Sequence, residues 1–113
     1  MLILGAAYKR NVDDTRESPA LTLIELIEAR GARCDFHDPF IAEIPMTREH
    51  ATLAGRRSAA LNAEAIAAYD AVLVATDHDA VDYALVAAHA RLIVDTRNVF
   101  ARLGIVSDRI VKA

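Results

Sequence analysis

The sequence predicts a three-layer α/β domain, a mostly parallel sheet flanked by helices. Three observations carry that expectation. Short apolar runs at residues 2–7, 71–75 and 91–94 have the length and aliphatic content of strands buried on both faces. Amphipathic stretches of helical period lie between them, and strands alternating with helices imply parallel pairing through right-handed crossovers. Each apolar run also gives way to a polar segment, at residues 8–18, 76–79 and 95–98, as at the carboxyl edge of a parallel sheet, where ligands gather. The expected architecture is Rossmann-like. It is one domain over residues 1–113, because two domains would leave neither with a comfortable core.

Residues 2–7 form the first strand and residues 8–17 a loop without periodicity. Ser18 then caps a helix whose first position is Pro19, where the missing N–H has no partner to lose. Leu23, Ile24, Leu26 and Ile27 are expected on its apolar side and Thr22, Glu25 and Glu28 on its polar side, with Gly31 ending it. Residues 33–37 alternate, with Cys34 and Phe36 on one face, and make a second strand that Asp38-Pro39 stops. Residues 40–57 read as a long variable connection, followed by a short strand near residues 58–61. Asn62 caps a helix through Ala63, Ile66 and Ala67, ahead of the strand at 71–75. Asp79 is expected to cap a helix containing Val81, Leu85 and Val86, the strand at 91–94 follows, and a last short strand falls near 109–111.

Composition excludes several function classes. The net charge is -3 and the 13 Lys and Arg are scattered, so the pair Arg56-Arg57 is too small a basic footprint for nucleic acid. No apolar run approaches the roughly 18 residues that span a bilayer, and residues 1–5 lack the basic flank of a signal peptide. A chain that opens inside a strand reads as cut from something longer. The single cysteine, Cys34, allows neither an intrachain disulfide nor a cysteine-based zinc site, which fits a cytoplasmic protein.

The first loop carries the most chemistry. It is longer than the usual βα loop of two to six residues and lacks both the G-x-G-x-x-G of a dinucleotide fold and a P-loop. Lys9 leaves the strand end and Arg16 stands just before a helix N-terminus, so both can meet an anion, with Asp13 and Asp14 available to hold them. Arg97 leaves another strand at the same edge and can take a phosphate in a fork. For each cation a solvated loop or surface salt bridge is an equally weighted alternative. Asp95 can instead cap the turn it begins. A hydrolase triad of Ser18 with His78 or His37, each of which precedes an Asp at a strand end, is disfavoured for want of a nucleophile elbow, and His37, His50, His78 and His89 show no metal-ligand spacing. Cys34 reads as a buried small hydrophobe.

At these loops the sequence resembles a known family. Gly5-Ala-Ala-Tyr-Lys9 with Asp13-Asp-Thr-Arg-Glu-Ser-Pro19, then His37-Asp38-Pro39, Tyr69-Asp70-Ala-Val-Leu-Val, Thr76-Asp77-His78 and Asp95-Thr-Arg-Asn98, are similar, in order, to blocks of the C-terminal domain of the UDP-glucose/GDP-mannose dehydrogenases. The blocks look closest to the branch acting on UDP-N-acetyl-hexosamines. The resemblance implies a UDP-sugar-binding domain from an NAD-dependent enzyme that oxidises the sugar C6 alcohol to a carboxylate through an active-site cysteine. It implies substrate contacts at Tyr8, Lys9 and Arg97, and a contact from Arg16 to the NAD pyrophosphate. NAD would be held mainly by an N-terminal domain, and the catalytic cysteine, which Cys34 does not match, by a central region. The chain is therefore expected to be an inactive fragment whose partners are a UDP-sugar and the rest of a homo-oligomeric enzyme. A free-standing nucleotide-binding module and a structural, dimerising domain are the alternatives.

Overall fold

Five three-residue strands, β1 (Leu2–Leu4), β2 (Asp35–His37), β3 (Val72–Val74), β4 (Ile93–Asp95) and β5 (Ile110–Lys112), pair in the order β2-β1-β3-β4-β5. Every pairing is parallel, with Leu2 opposite both Asp35 and Val72, and Ile93 opposite both Val72 and Ile110. This computed structural model describes residues 1–16 and 18–113, and Glu17, the last residue of the expected first loop, lies outside the described residues. The order places β2 on one side of β1 and the remaining strands on the other. The chain thus reverses its winding between β1 and β3, the place where an open α/β sheet leaves its binding crevice.

Period-two alternation sorts the core onto the two faces. Leu2, Leu4, Val72 and Val74 join Ile66, Val86, Ile93 and Phe100 on one face, with helices α2 (Ala63–Ala68), α3 (Tyr83–His89) and α4 (Val99–Arg102). Ile3, Phe36 and Cys34 join Ala20, Leu21 and Ile24 of helix α1 (Pro19–Ala29) on the other. The strands are shorter than the apolar runs. β1 stops at Leu4 because Gly5 turns at φ +88.

Helix α1 has the expected ends. The Ser18 hydroxyl accepts from Ala20 N at 3.2 Å, and Pro19 opens the first turn. At the other end Gly31 N donates to Glu28 O and Ala32 N to Ile27 O, the paired bonds of a Schellman cap that requires the left-handed φ of +92 at Gly31. Its buried stripe is Ala20, Leu21 and Ile24, whereas Leu26 is 57% exposed. Two residues beyond Ile24 on a 3.6-residue helix, Leu26 points away from the face that Ile24 buries.

Two other expectations are corrected. Helix α3 is capped by Asp82, whose carboxylate accepts from Leu85 N at 3.0 Å, and not by Asp79. The apolar repeat of Tyr83, Val86, Ala87 and Ala90 fixes that start, with Val81 placed before the cap as a hydrophobic staple. No strand forms at residues 58–61. Ala59 N donates to Phe36 O and Ser58 Oγ accepts from Asp38 N beside β2, and the neighbouring bridge is Glu43 with Arg57. The connection at 40–57 contributes Ile41, Ile44 and Leu53 to the core beside α1. It is also tied to the polar side of that helix by Arg56–Glu28, at 2.6 Å, and by His50–Glu25. The Arg56 guanidinium holds the Glu28 carboxyl below its ordinary range.

Candidate functional site

All five strands point their carboxyl ends the same way, so the loops after β1, β2, β3 and β4 share one rim. At Gly5 the chain leaving β1 runs close against the segment that follows β3. A Cβ placed there would lie 2.5 Å from both the Cβ and the carbonyl oxygen of Thr76. Thr76 is fully buried, and its hydroxyl donates to Ala7 O at 2.7 Å, lacing the two loops together.

Beneath the loops sits a buried polar hub. Asp38 Oδ2 accepts from Ala6 N at 2.7 Å and pairs with His78 Nε2 at 2.8 Å, while Oδ1 accepts from Phe40 N and Ile41 N. His78 Nδ1 lies 2.8 Å from Asn11 N, an amide that can only donate. Nδ1 is therefore the bare acceptor, and Nε2 carries the proton it gives to Asp38. Neither side chain is exposed. Asn11 takes a left-handed φ of 61 and clamps Asp79 with two further bonds, its Nδ2 to Asp79 Oδ2 and Asp79 N to its Oδ1. Ser18 Oγ bonds Ala7 O and Ala20 N, so the histidine and aspartate serve the loops' architecture and not a nucleophile. Residue types alone gave Asp38 as a strand terminator; its place after β2, matched by Asp77 and Asp95 at the ends of β3 and β4, was the available signal.

Above this hub the structure distributes the four expected ligand residues over two places. Tyr8, 47% exposed, and Arg16 line one cleft of about 590 Å³, whose opposite wall is Thr47, Glu49 and His50. Arg16 is gripped by Asp14, with Nη2–Oδ2 at 2.8 Å and the Arg16 amide on Oδ1 at 2.9 Å. The side-chain hydrogen bond from Arg16 pulls the Asp14 carboxyl down to about 2. Arg97 lies elsewhere, on the loop after β4. Its Nε donates to Ala75 O at 2.9 Å, and its amide is received by Asp95, which also accepts from Phe100 N and so caps the turn into α4 as expected. Tied at Nε to the end of β3, Arg97 makes no Nη hydrogen bond or ion pair among the described residues. Lys9 is exposed and makes no hydrogen bond or ion pair among the described residues.

Two cations were missed. Asp77, only 6% exposed, is met by Arg10 at 3.0 Å and by a short hydrogen bond from Arg102. Arg102 belongs to α4, a four-residue helix with a left-handed Asn98 at its start that the sequence pattern does not announce.

Cys34 is 4% exposed, and burial pushes its thiol up to about 11. Well under one in a hundred such thiols is ionised near neutral pH, so an aromatic disulfide reagent should label it only after denaturation. Stoichiometric labelling of the folded chain within minutes would contradict this.

A parallel sheet with a polar, cation-bearing rim at its winding reversal defines an α/β anion-binding domain. The comparisons give it a family. Residues 2–102 match the UDP-glucose/GDP-mannose dehydrogenase family, UDP binding domain, and the chain belongs to that family. A UDP-N-acetyl-D-mannosamine dehydrogenase of Methanococcus maripaludis is 38% identical over 77 residues, covering 68% of this chain and 16% of the relative. The UDP-glucose 6-dehydrogenase AglM of Haloferax volcanii is 36% identical over 103 residues, covering 88% and 23%. Among solved structures, the UDP-D-ManNAc dehydrogenase of Pyrococcus horikoshii superposes with a TM-score of 0.63 at 27% identity, over 97% of this chain and 23% of that one. Cap5O of Staphylococcus aureus, at 22% identity and a TM-score of 0.66, shares the fold. The chain thus spans about a quarter or less of the relatives it matches.

Proposed function

We propose that this domain holds the nucleotide sugar for an NAD-dependent UDP-sugar 6-dehydrogenase, with a UDP-N-acetyl-hexosamine as the substrate, in the cytoplasm. Arg97 carries the reading: a guanidinium fixed by its Nε to the end of β3, with its Nη groups uncommitted among the described residues, at the winding reversal of a parallel sheet. Lys9 and Tyr8, on the loop leaving β1, supply a second charge and an exposed ring on the same rim of the sheet. Carboxylate and phosphate recognition by such a fork is the role arginine performs best. Family membership supports a UDP-sugar diphosphate as the anion.

The chain's own residues do not fit NAD. The first loop lacks the G-x-G-x-x-G turn that receives a dinucleotide pyrophosphate, and Arg16, on the cleft beside Tyr8, is the residue this reading offers to the cofactor. NAD binding and the reacting cysteine therefore belong to other parts of the parent enzyme, and no oxidation step is assigned to these residues.

Titration of the 113-residue chain with UDP-N-acetylglucosamine, followed by amide chemical shifts, tests the reading. Weak binding is expected, centred on residues 8–10 and 95–97, with no NAD reduction. Arg97→Ala should weaken it by about 10- to 100-fold, the equivalent of one or two charge-assisted hydrogen bonds. Unaltered binding in both Lys9→Ala and Arg97→Ala would favour a structural domain, and tight binding by the chain itself a free-standing module.

A further inference from the structure

The geometry points to an additional phosphate subsite built by Arg10 and Arg102 around Asp77, taking one phosphoryl group of a diphosphate at the carboxyl edge of β3. Both guanidiniums approach the same oxygen, Oδ2: Arg10 Nη2 at 3.0 Å and Arg102 Nη2 through the short hydrogen bond. The two nitrogens can stand no further apart than two hydrogen bonds laid end to end, so the arginines, one from the β1 loop and one from α4, converge on a single spot.

One buried carboxylate needs only one cation. Here it has two, and their side chains remain 48% and 42% exposed while that of Asp77 is 7% exposed. Each guanidinium carries five N–H donors and gives Asp77 a single nitrogen. The remainder face solvent beside Lys9 and on the rim that bears Arg97. Nearby acidic groups do not absorb the surplus: Asp79 is occupied by Asn11, and Asp95 by the amides of Arg97 and Phe100. Asp77 acts as a positioning residue. It fixes two long side chains that would otherwise lose conformational freedom on meeting an anion.

This subsite rests on the UDP-sugar reading only for the identity of its anion, so inorganic pyrophosphate is the direct probe. The arginine side-chain Nε–Hε resonances of the 113-residue chain are followed during titration with millimolar pyrophosphate, against sodium chloride at matched ionic strength. Arg10 and Arg102 signals are expected to shift saturably, and Arg102→Gln to weaken pyrophosphate binding about tenfold. Asp77 keeps Arg10 in that variant, so the fold is retained, and Arg10→Gln provides the reciprocal case. Silence of both signals, or unchanged affinity in both variants, overturns the subsite. A parallel titration with UDP-N-acetylglucosamine separates the two ideas. Shifts at Lys9 and Arg97 without Arg10 and Arg102 leave the proposed function standing and remove the subsite. Pyrophosphate shifts at Arg10 and Arg102 with no response to the nucleotide sugar do the reverse.

Discussion

Gly5→Ala is expected to destabilise the domain by about 4 kcal/mol, lowering Tm by roughly 15 °C or more. Two costs combine. The residue holds φ at +88, which an L side chain tolerates poorly. Its new methyl would also lie 2.5 Å from Thr76 Cβ, 2.5 Å from Thr76 O and 2.8 Å from Thr76 N. Two of those three atoms are backbone, so no rotamer change relieves the contact, and Thr76→Ala cannot rescue it. Gly31→Ala supplies the control. Its φ of +92 is nearly the same, yet a Cβ there meets nothing within 4 Å, so it should cost only about 1 kcal/mol. The difference between the two variants, read by thermal or urea unfolding, isolates the steric closure of β1 on β3. Equal losses would mean that the strand ends are not in contact.

That closure connects fold to function. Because Thr76 is pinned against Gly5, the next residue, Asp77, is set at a fixed height above the sheet, where Arg10 and Arg102 meet it. Arg97 is fixed to the carbonyl of Ala75, one residue before Thr76. Three cations are thereby referenced to two residues, Ala75 and Asp77, at the end of one strand. A site built this way is suited to hold a compact dianion at its edge.

What was legible in the sequence was what short-range pattern encodes. Aliphatic runs gave three of the strands and alternation at residues 33–37 a fourth, the Ser18-Pro19 pair and Gly31 gave both ends of α1, and Arg97 stood out because it lies just past a strand. What was hidden depends on pairings between distant residues. Asp38 and His78 are 40 positions apart, and neither segment shows that it will be buried. Arg10 looked like one more charge in a polar loop until α4 brought Arg102 to the same aspartate. Residues 40–57 carry their core side chains, Ile41, Ile44 and Leu53, at no regular period, because the segment follows the surface of α1 and forms neither a long helix nor a strand.

Asp38→Asn changes one atom and is expected to cost about 3 kcal/mol. Ala6 N and His78 Nε2 donate to one carboxylate oxygen, Phe40 N and Ile41 N to the other. An asparagine must turn its NH2 toward one of those pairs. Whichever way it faces, two buried donors lose their acceptor and confront a third donor, in a site without access to water. Asp95→Asn is the graded comparison, since each Asp95 oxygen receives one amide, from Arg97 and from Phe100, and a single donor is orphaned. Its loss should be about half as large. Amide hydrogen exchange would locate the damage: protection of Ala6, Phe40, Ile41 and Asn11 should fall in Asp38→Asn, the last because His78 can flip once its Nε2 proton has no destination. The imidazole ¹⁵N spectrum offers an independent check, with His78 Nδ1 in the wild-type chain bare and Nε2 protonated. A loss below about 1 kcal/mol with Asn11 still protected would show that the hub does not organise the first loop. The positions of Arg10 and Lys9, which that loop carries, would then need another cause.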